Sequence, residues 1–116
     1  MFVRNLSSSG EKRVLPKSLI EVVNLGGETI MRVTFQPGWK WSDCIKPVAG
    51  TDSCLAPHIN YVISGRMIIK MDNGIQKEIG PGDAAVIPPG HDAWVVGEQE
   101  FVAIDFGAGK MYGKSP

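Results

Sequence analysis

From Thr29 to Gln36 the chain alternates, with Met31, Val33 and Phe35 on one face and Arg32, Thr34 and Gln36 on the other. A period of two marks a strand with one buried face. Pro37, Gly38 and Trp39 end it. Further short apolar or alternating runs follow at 59–64, 66–71, 75–79, 84–88, 93–96 and 100–106, and one precedes it at 18–25. Each reads as a strand. Asp72-Asn73-Gly74 between two of them is a strong hairpin signal, because both turn residues tolerate φ > 0. Gly80-Pro81-Gly82-Asp83 makes a second corner, with Asp83 as a turn residue. No run carries a capped 3.6-residue period, so no helix longer than about two turns is expected. Short strands at regular spacing predict an all-β domain, a sandwich or a barrel. The tail from Gly107 to Pro116 reads as loosely draped.

The longest unpunctuated connection runs from 39 to 58 and holds two Trp, two Cys and a His. A long irregular segment inside a compact β domain is usually functional or disordered, and this composition argues against disorder. The chain has 116 residues, enough for one domain, 1–116, with its core at about 28–106 and with 1–17 and 107–116 peripheral. Twelve basic and twelve acidic residues cancel, and no basic run suggests nucleic acid. No apolar stretch reads as a secretory signal or a membrane span, so no membrane partner is expected. Two cysteines, Cys44 and Cys54, are too few for a disulfide scaffold. The expected setting is a reducing cytoplasm with both thiols free, although the loop between them is long enough to fold back into a bridge.

Two segments resemble the cupin family of small jelly-roll β-barrels. The second cupin motif is a Gly, five residues, Pro-x-Gly, two residues, His, three residues, Asn. Here Gly82, Pro88 and Gly90 keep that frame, but Ala93 stands at the His position and Gly97 at the Asn position. His91 comes two residues early. The first motif, counted forward from Gly38, puts its ligand positions at Cys44 and Lys46. Counted back from Gly65, it puts the Glu position at His58, leaving an insertion at 47–57. A second register, without Gly38, places Asp52 and Cys54 at the two His positions. The first is preferred because it uses the Pro-Gly corner after 29–36.

In that register the four metal positions of the family become Cys44, Lys46, His58 and Ala93. A protonated Lys has donors and no lone pair, and a methyl group ligates nothing. The resemblance thus implies a barrel without its usual metal, binding a small polar or anionic molecule. The expected ligand-binding residues are Cys44, Lys46, His58, Tyr61, His91 and Trp94, with Trp39 and Trp41 also walling the mouth. One alternative keeps a divalent metal (Zn, Fe, Ni or Mn) on a shifted set, Cys44, His58 and His91, in an isomerase or dioxygenase type of enzyme. Another is metal-free acid–base catalysis by His58 and His91, with Lys46 beside an oxyanion.

Plainer roles compete with each of these. The cysteines could be core residues, Lys46 a surface cation carried on its stem, and His58 a donor to a loop carbonyl. His91 could be a turn residue held by Asp92, and the tryptophans plain core. Asp105, between apolar neighbours, needs a buried partner, and Lys46 or Arg66 is expected to supply it. The resemblance also implies a homodimer, and the apolar start Met1-Phe2-Val3 would favour strand exchange or edge pairing.

Overall fold

A computed structural model describes residues 1–114. Nine strands form two antiparallel sheets. They are β1 (Glu11–Leu15), β2 (Ser18–Leu25), β3 (Glu28–Phe35), β4 (His58–Ser64), β5 (Arg66–Met71), β6 (Gln76–Ile79), β7 (Ala84–Ile87), β8 (His91–Val96) and β9 (Phe101–Asp105). The larger sheet runs β1-β2-β3-β9-β4-β7 and the smaller β6-β5-β8. This is the all-β domain that the pattern of short strands predicts, in the jelly-roll form that the cupin resemblance implies. Two one-turn helices, α1 (Trp41–Cys44) and α2 (Lys46–Ala49), occupy the long connection.

The inward faces follow sequence parity. On β3, Met31, Val33 and Phe35 are buried; on β4, His58, Asn60 and Val62; on β8, His91, Ala93 and Val95. Between the sheets, Phe35 stacks on Trp39 with ring centroids 3.8 Å apart. The Trp39 indole N–H donates to Ser18 Oγ at 2.9 Å, which satisfies the one polar atom of a wholly buried ring.

Gly65 carries the chain from β4 in one sheet to β5 in the other at φ 78°. A Cβ there would lie 2.4 Å from the Glu100 carbonyl oxygen, so glycine is required both for the backbone angle and for the close approach.

The structure differs from the sequence reading at several ends. β1 belongs to the larger sheet, pairing with β2 from Glu11↔Val22 to Leu15↔Ser18, so the sheet begins well before residue 28. Its sequence, Glu-Lys-Arg-Val-Leu, is an edge strand too polar to stand out. Met1 to Val3 form no strand and are exposed. β4 starts at His58 and β8 at His91, which turns two expected loop residues into strand residues. Of the tail at 107–116, residues 107–114 form a strap that buries Ala108 and Tyr112, while 115–116 lie outside the described residues. Among the described residues no helix is long and apolar enough to cross a membrane.

Candidate functional site

Three side chains with lone pairs to offer meet inside the barrel. Cys54, His58 and His91 each place one ligating atom within 4.8 Å of the other two, and all three residues are buried. Local structure explains each position. His58 opens β4 on its inward face. His91 opens β8, also inward. Cys54 forms a single-residue bridge with His91: its N–H donates to the His91 carbonyl at 2.7 Å, and its carbonyl accepts from Gly90 N–H at 2.7 Å. The irregular loop is therefore held against the start of β8 at the one residue that carries the thiol.

The ring orientations are set from behind. His58 Nδ1–H donates to Asp105 Oδ2 at 2.6 Å. The other oxygen, Asp105 Oδ1, accepts from the N–H groups of Gly107 (2.9 Å) and Ala108 (2.8 Å). His91 Nδ1–H donates to the Pro88 carbonyl at 2.8 Å. A carboxylate and a carbonyl can only accept, so both Nδ1 atoms carry the hydrogen and both Nε2 atoms face the cluster. His58 Nε2 lies 3.7 Å from Cys54 Sγ. Burial lowers the His91 pKa, which keeps its imidazole neutral at pH 7. Burial pushes the Cys54 thiol up to about 11, so it is protonated there in the absence of a cation.

This donor set fits a transition-metal ion. Two imidazoles with the far nitrogen tied to oxygen and one thiol are ligands of the zinc or iron type, and such back-bonding is what holds metal-binding histidines in place. An ion would have to displace the thiol proton, as coordinating thiols require.

Several expected site residues lie elsewhere. Cys44 is buried in α1 but is not in the cluster; Cys54 has its place, as the register without Gly38 implies. Asp52, the other residue of that register, has a fully exposed side chain. Lys46 does not put its charge in the barrel: its ammonium lies 3.7 Å from Asp52 Oδ1 in a solvent-exposed pair. Tyr61 and Trp94 point outward, because they sit at odd offsets from the inward His58 and His91. Tyr61 is 44% exposed, and Trp94 packs beneath the Lys40 ammonium, 5.5 Å from its ring centroid.

Asp105 pairs with His58, not with Lys46 or Arg66; Arg66 lies 3.5 Å from Glu78. Asp92 accepts from the Ser42 and Ala93 N–H groups and so tethers α1 to β8. Both thiols are free. Around the cluster the cavity wall includes Trp41, Asn60, Ala93 and Tyr112. The Tyr112 ring stands edge-on to His58 at 5.2 Å. Its position in the Gly-rich tail left no signal in the strand pattern.

The model of the EutQ-like cupin domain matches residues 51–112, just over half of the chain, including all three cluster residues and Asp105. The chain belongs to the EutQ-like cupin family. No curated protein matches it. Among solved structures, this cupin is similar to KdgF from Halomonas sp., at 21% identity and TM-score 0.62 over 93% of each chain. It is similar to a putative sugar phosphate isomerase from Acidithiobacillus ferrooxidans, at 24% identity and TM-score 0.57 over 84% of this chain and 66% of that one. It also resembles oxalate decarboxylase from Lactobacillus farciminis, at 13% identity and TM-score 0.65, over 91% of this chain and 33% of that chain. At these identities the likeness is one of fold.

Proposed function

We propose that this cupin is a metal-dependent enzyme that holds one divalent transition ion on Cys54, His58 and His91 and acts on a small oxygen-bearing molecule. One observation carries the reading: both imidazoles have their Nδ1–H committed to an oxygen, so that both Nε2 lone pairs meet the Cys54 sulfur within 4.8 Å. Three protein ligands leave a position for water or substrate, the arrangement of catalytic and not structural sites. Bound there, the ion would supply Lewis acidity to a substrate oxygen. The chain's own residues do the rest. Asp105 orients His58 and makes it a better donor. Burial holds His91 neutral and available. Met31 and Val33 of β3, Met67 and Ile69 of β5, and Phe101 and Ala103 of β9 give the cavity beside the cluster a mainly apolar wall.

The metal-free, anion-binding reading loses its cation, because Lys46 lies outside the barrel. Metal-free proton transfer keeps one support, the buried His58–Asp105 pair. Elemental mass spectrometry on the untagged protein separates the two. About one metal per chain, lost in His58→Ala and Cys54→Ala, is expected. Trace metal that ignores both substitutions would overturn the metal reading and leave the proton-transfer one.

A further inference from the structure

The space at the centre of the barrel is about 40 Å³, which is a few waters at the ~10–15 Å³ that each one needs. A substrate of more than a few heavy atoms must reach beyond it. Two grooves adjoin. One, of about 220 Å³ over Ile69 and Ile87, touches none of the cluster residues. The other, of about 240 Å³, has Cys54 in its own wall and shares Trp41 and Tyr112 with the inner cavity. Tyr112 is thus a partition one ring thick, carried on the 107–114 strap.

The rest of this second groove is mainly hydrocarbon: Ile45 and Ala49 from the helical segment, Leu55 and Ala56 beyond the thiol, and Met111 from the strap. Leu55 and Met111 are half exposed, at 50% and 51%. Two large aliphatic side chains therefore stay partly in water at the rim of a groove whose wall includes Cys54.

Polar atoms also wait on this path. The Trp41 indole N–H is buried without a hydrogen-bond partner among the described residues, and so is Asn60 Oδ1, in the wall of the inner cavity. Unpaired buried polar groups are rare and each calls for an explanation. A bound molecule offering an acceptor to the indole and a donor to the carboxamide would satisfy both.

We infer that the groove outside Tyr112 binds the hydrocarbon part of the substrate, whose oxygen-bearing head lies against Cys54, His58 and His91. The substrate class is a small amphipathic molecule, with a compact oxygen head and a short aliphatic or aromatic tail. The placing of the head rests on the metal reading; the groove for the tail rests on its own lining.

Straight-chain hydroxamates from acetohydroxamate to octanohydroxamate, titrated calorimetrically into zinc-loaded protein, test the inference. Each added methylene is expected to tighten binding about fourfold until the groove is full. Ala49→Trp, which fills the groove, should flatten the series and leave acetohydroxamate unchanged. Leu55→Asp serves the same purpose should the bulkier change disturb folding. Equal affinity along the series in the native protein would overturn the inference.

A metal-free arm separates the two readings. Titrating 1-hexanol into zinc-free, methyl-labelled protein should shift the Met111 and Leu55 methyl resonances, and Ala49→Trp should abolish the shifts. Hexanol shifts without acetohydroxamate binding would sink the metal reading and sustain the groove. Unmoved methyls would sink the groove whatever the metal does.

Discussion

Burial holds the Cys54 thiol near 11, and the consequence for pH has opposite signs with and without a cation. In the metal-free protein a raised thiol pKa stabilises the fold fully below about pH 9, where the unfolded thiol begins to ionise. That stability is lost as pH rises toward 11, on the order of 2–3 kcal/mol. Tyr112, pushed up by its own burial, adds a loss above pH 10. Denaturant melts from pH 8 to 11 should show the decline, and Cys54→Ala should remove the thiol's share of it. Metal binding runs the other way. Because the ion displaces a proton, apparent zinc affinity is expected to rise about tenfold per pH unit between pH 7 and 9, and Cys54→Ser should flatten that slope in chelator competition. Asp105→Asn should weaken zinc about 10–100-fold in the same assay, through loss of the carboxylate behind His58. His58 was readable as a candidate because, counted back from Gly65, it falls on the family's Glu position; His91, two residues before the His position, was readable only as a shifted ligand. Cys54 was reachable only through the register without Gly38, and what favours it over Cys44 is a one-residue bridge to His91 that neither register shows.

Strand parity decides most of what the elements contribute. His58, Asn60 and Val62 face inward on β4, so Ile59, Tyr61 and Ile63 must face out. Tyr61 could never have joined His58 in one cavity on a regular strand, nor Trp94 have joined His91. That parity was readable, and it outweighs the chemical appeal of a phenol or an indole near the site. The strand starts were harder to read: Pro57 and Pro88–Gly90 read as loop, and the residues after them looked like loop too. Gly65 and Gly74 separate backbone angle from crowding. Both have positive φ, but a Cβ at Gly74 meets nothing within 4 Å, whereas at Gly65 it meets the Glu100 carbonyl. Gly74→Ala is expected to cost about 1–2 kcal/mol, the left-handed penalty alone. Gly65→Ala should cost clearly more, roughly 3 kcal/mol or above, because backbone must move as well. Urea unfolding of the two variants side by side checks the difference.

At the scale of the whole molecule, the outer face of the larger sheet is unusually apolar. Ile59, Tyr61, Ile63, Val86 and Phe106 are all exposed on or beside β4, β7 and β9. Soluble proteins seldom leave such a patch bare. We propose that a second copy covers it, consistent with the homodimer implied by the family. Light scattering should give twice the chain mass, and Tyr61→Arg should halve it without unfolding the protein. A native monomer would rule the dimer out. An all-β sandwich or barrel was legible in the strand spacing, and its jelly-roll form in the motif frame of Gly82, Pro88 and Gly90; the strap was not, because Gly107, Gly109 and Gly113 hide a segment whose order comes from distant partners. Arg13 donates to the carbonyls of Gly109 and Tyr112, and Asp105 receives the amides of Gly107 and Ala108. Asp105 therefore has one oxygen on a cluster histidine and the other on the strap. Those two amides never touch the cluster, yet their isotope exchange with solvent should slow when an ion fixes His58 and quicken when it leaves. The carboxylate would act as a telegraph between the cluster and the strap, so occupancy of a buried centre could be read from two backbone hydrogens outside it.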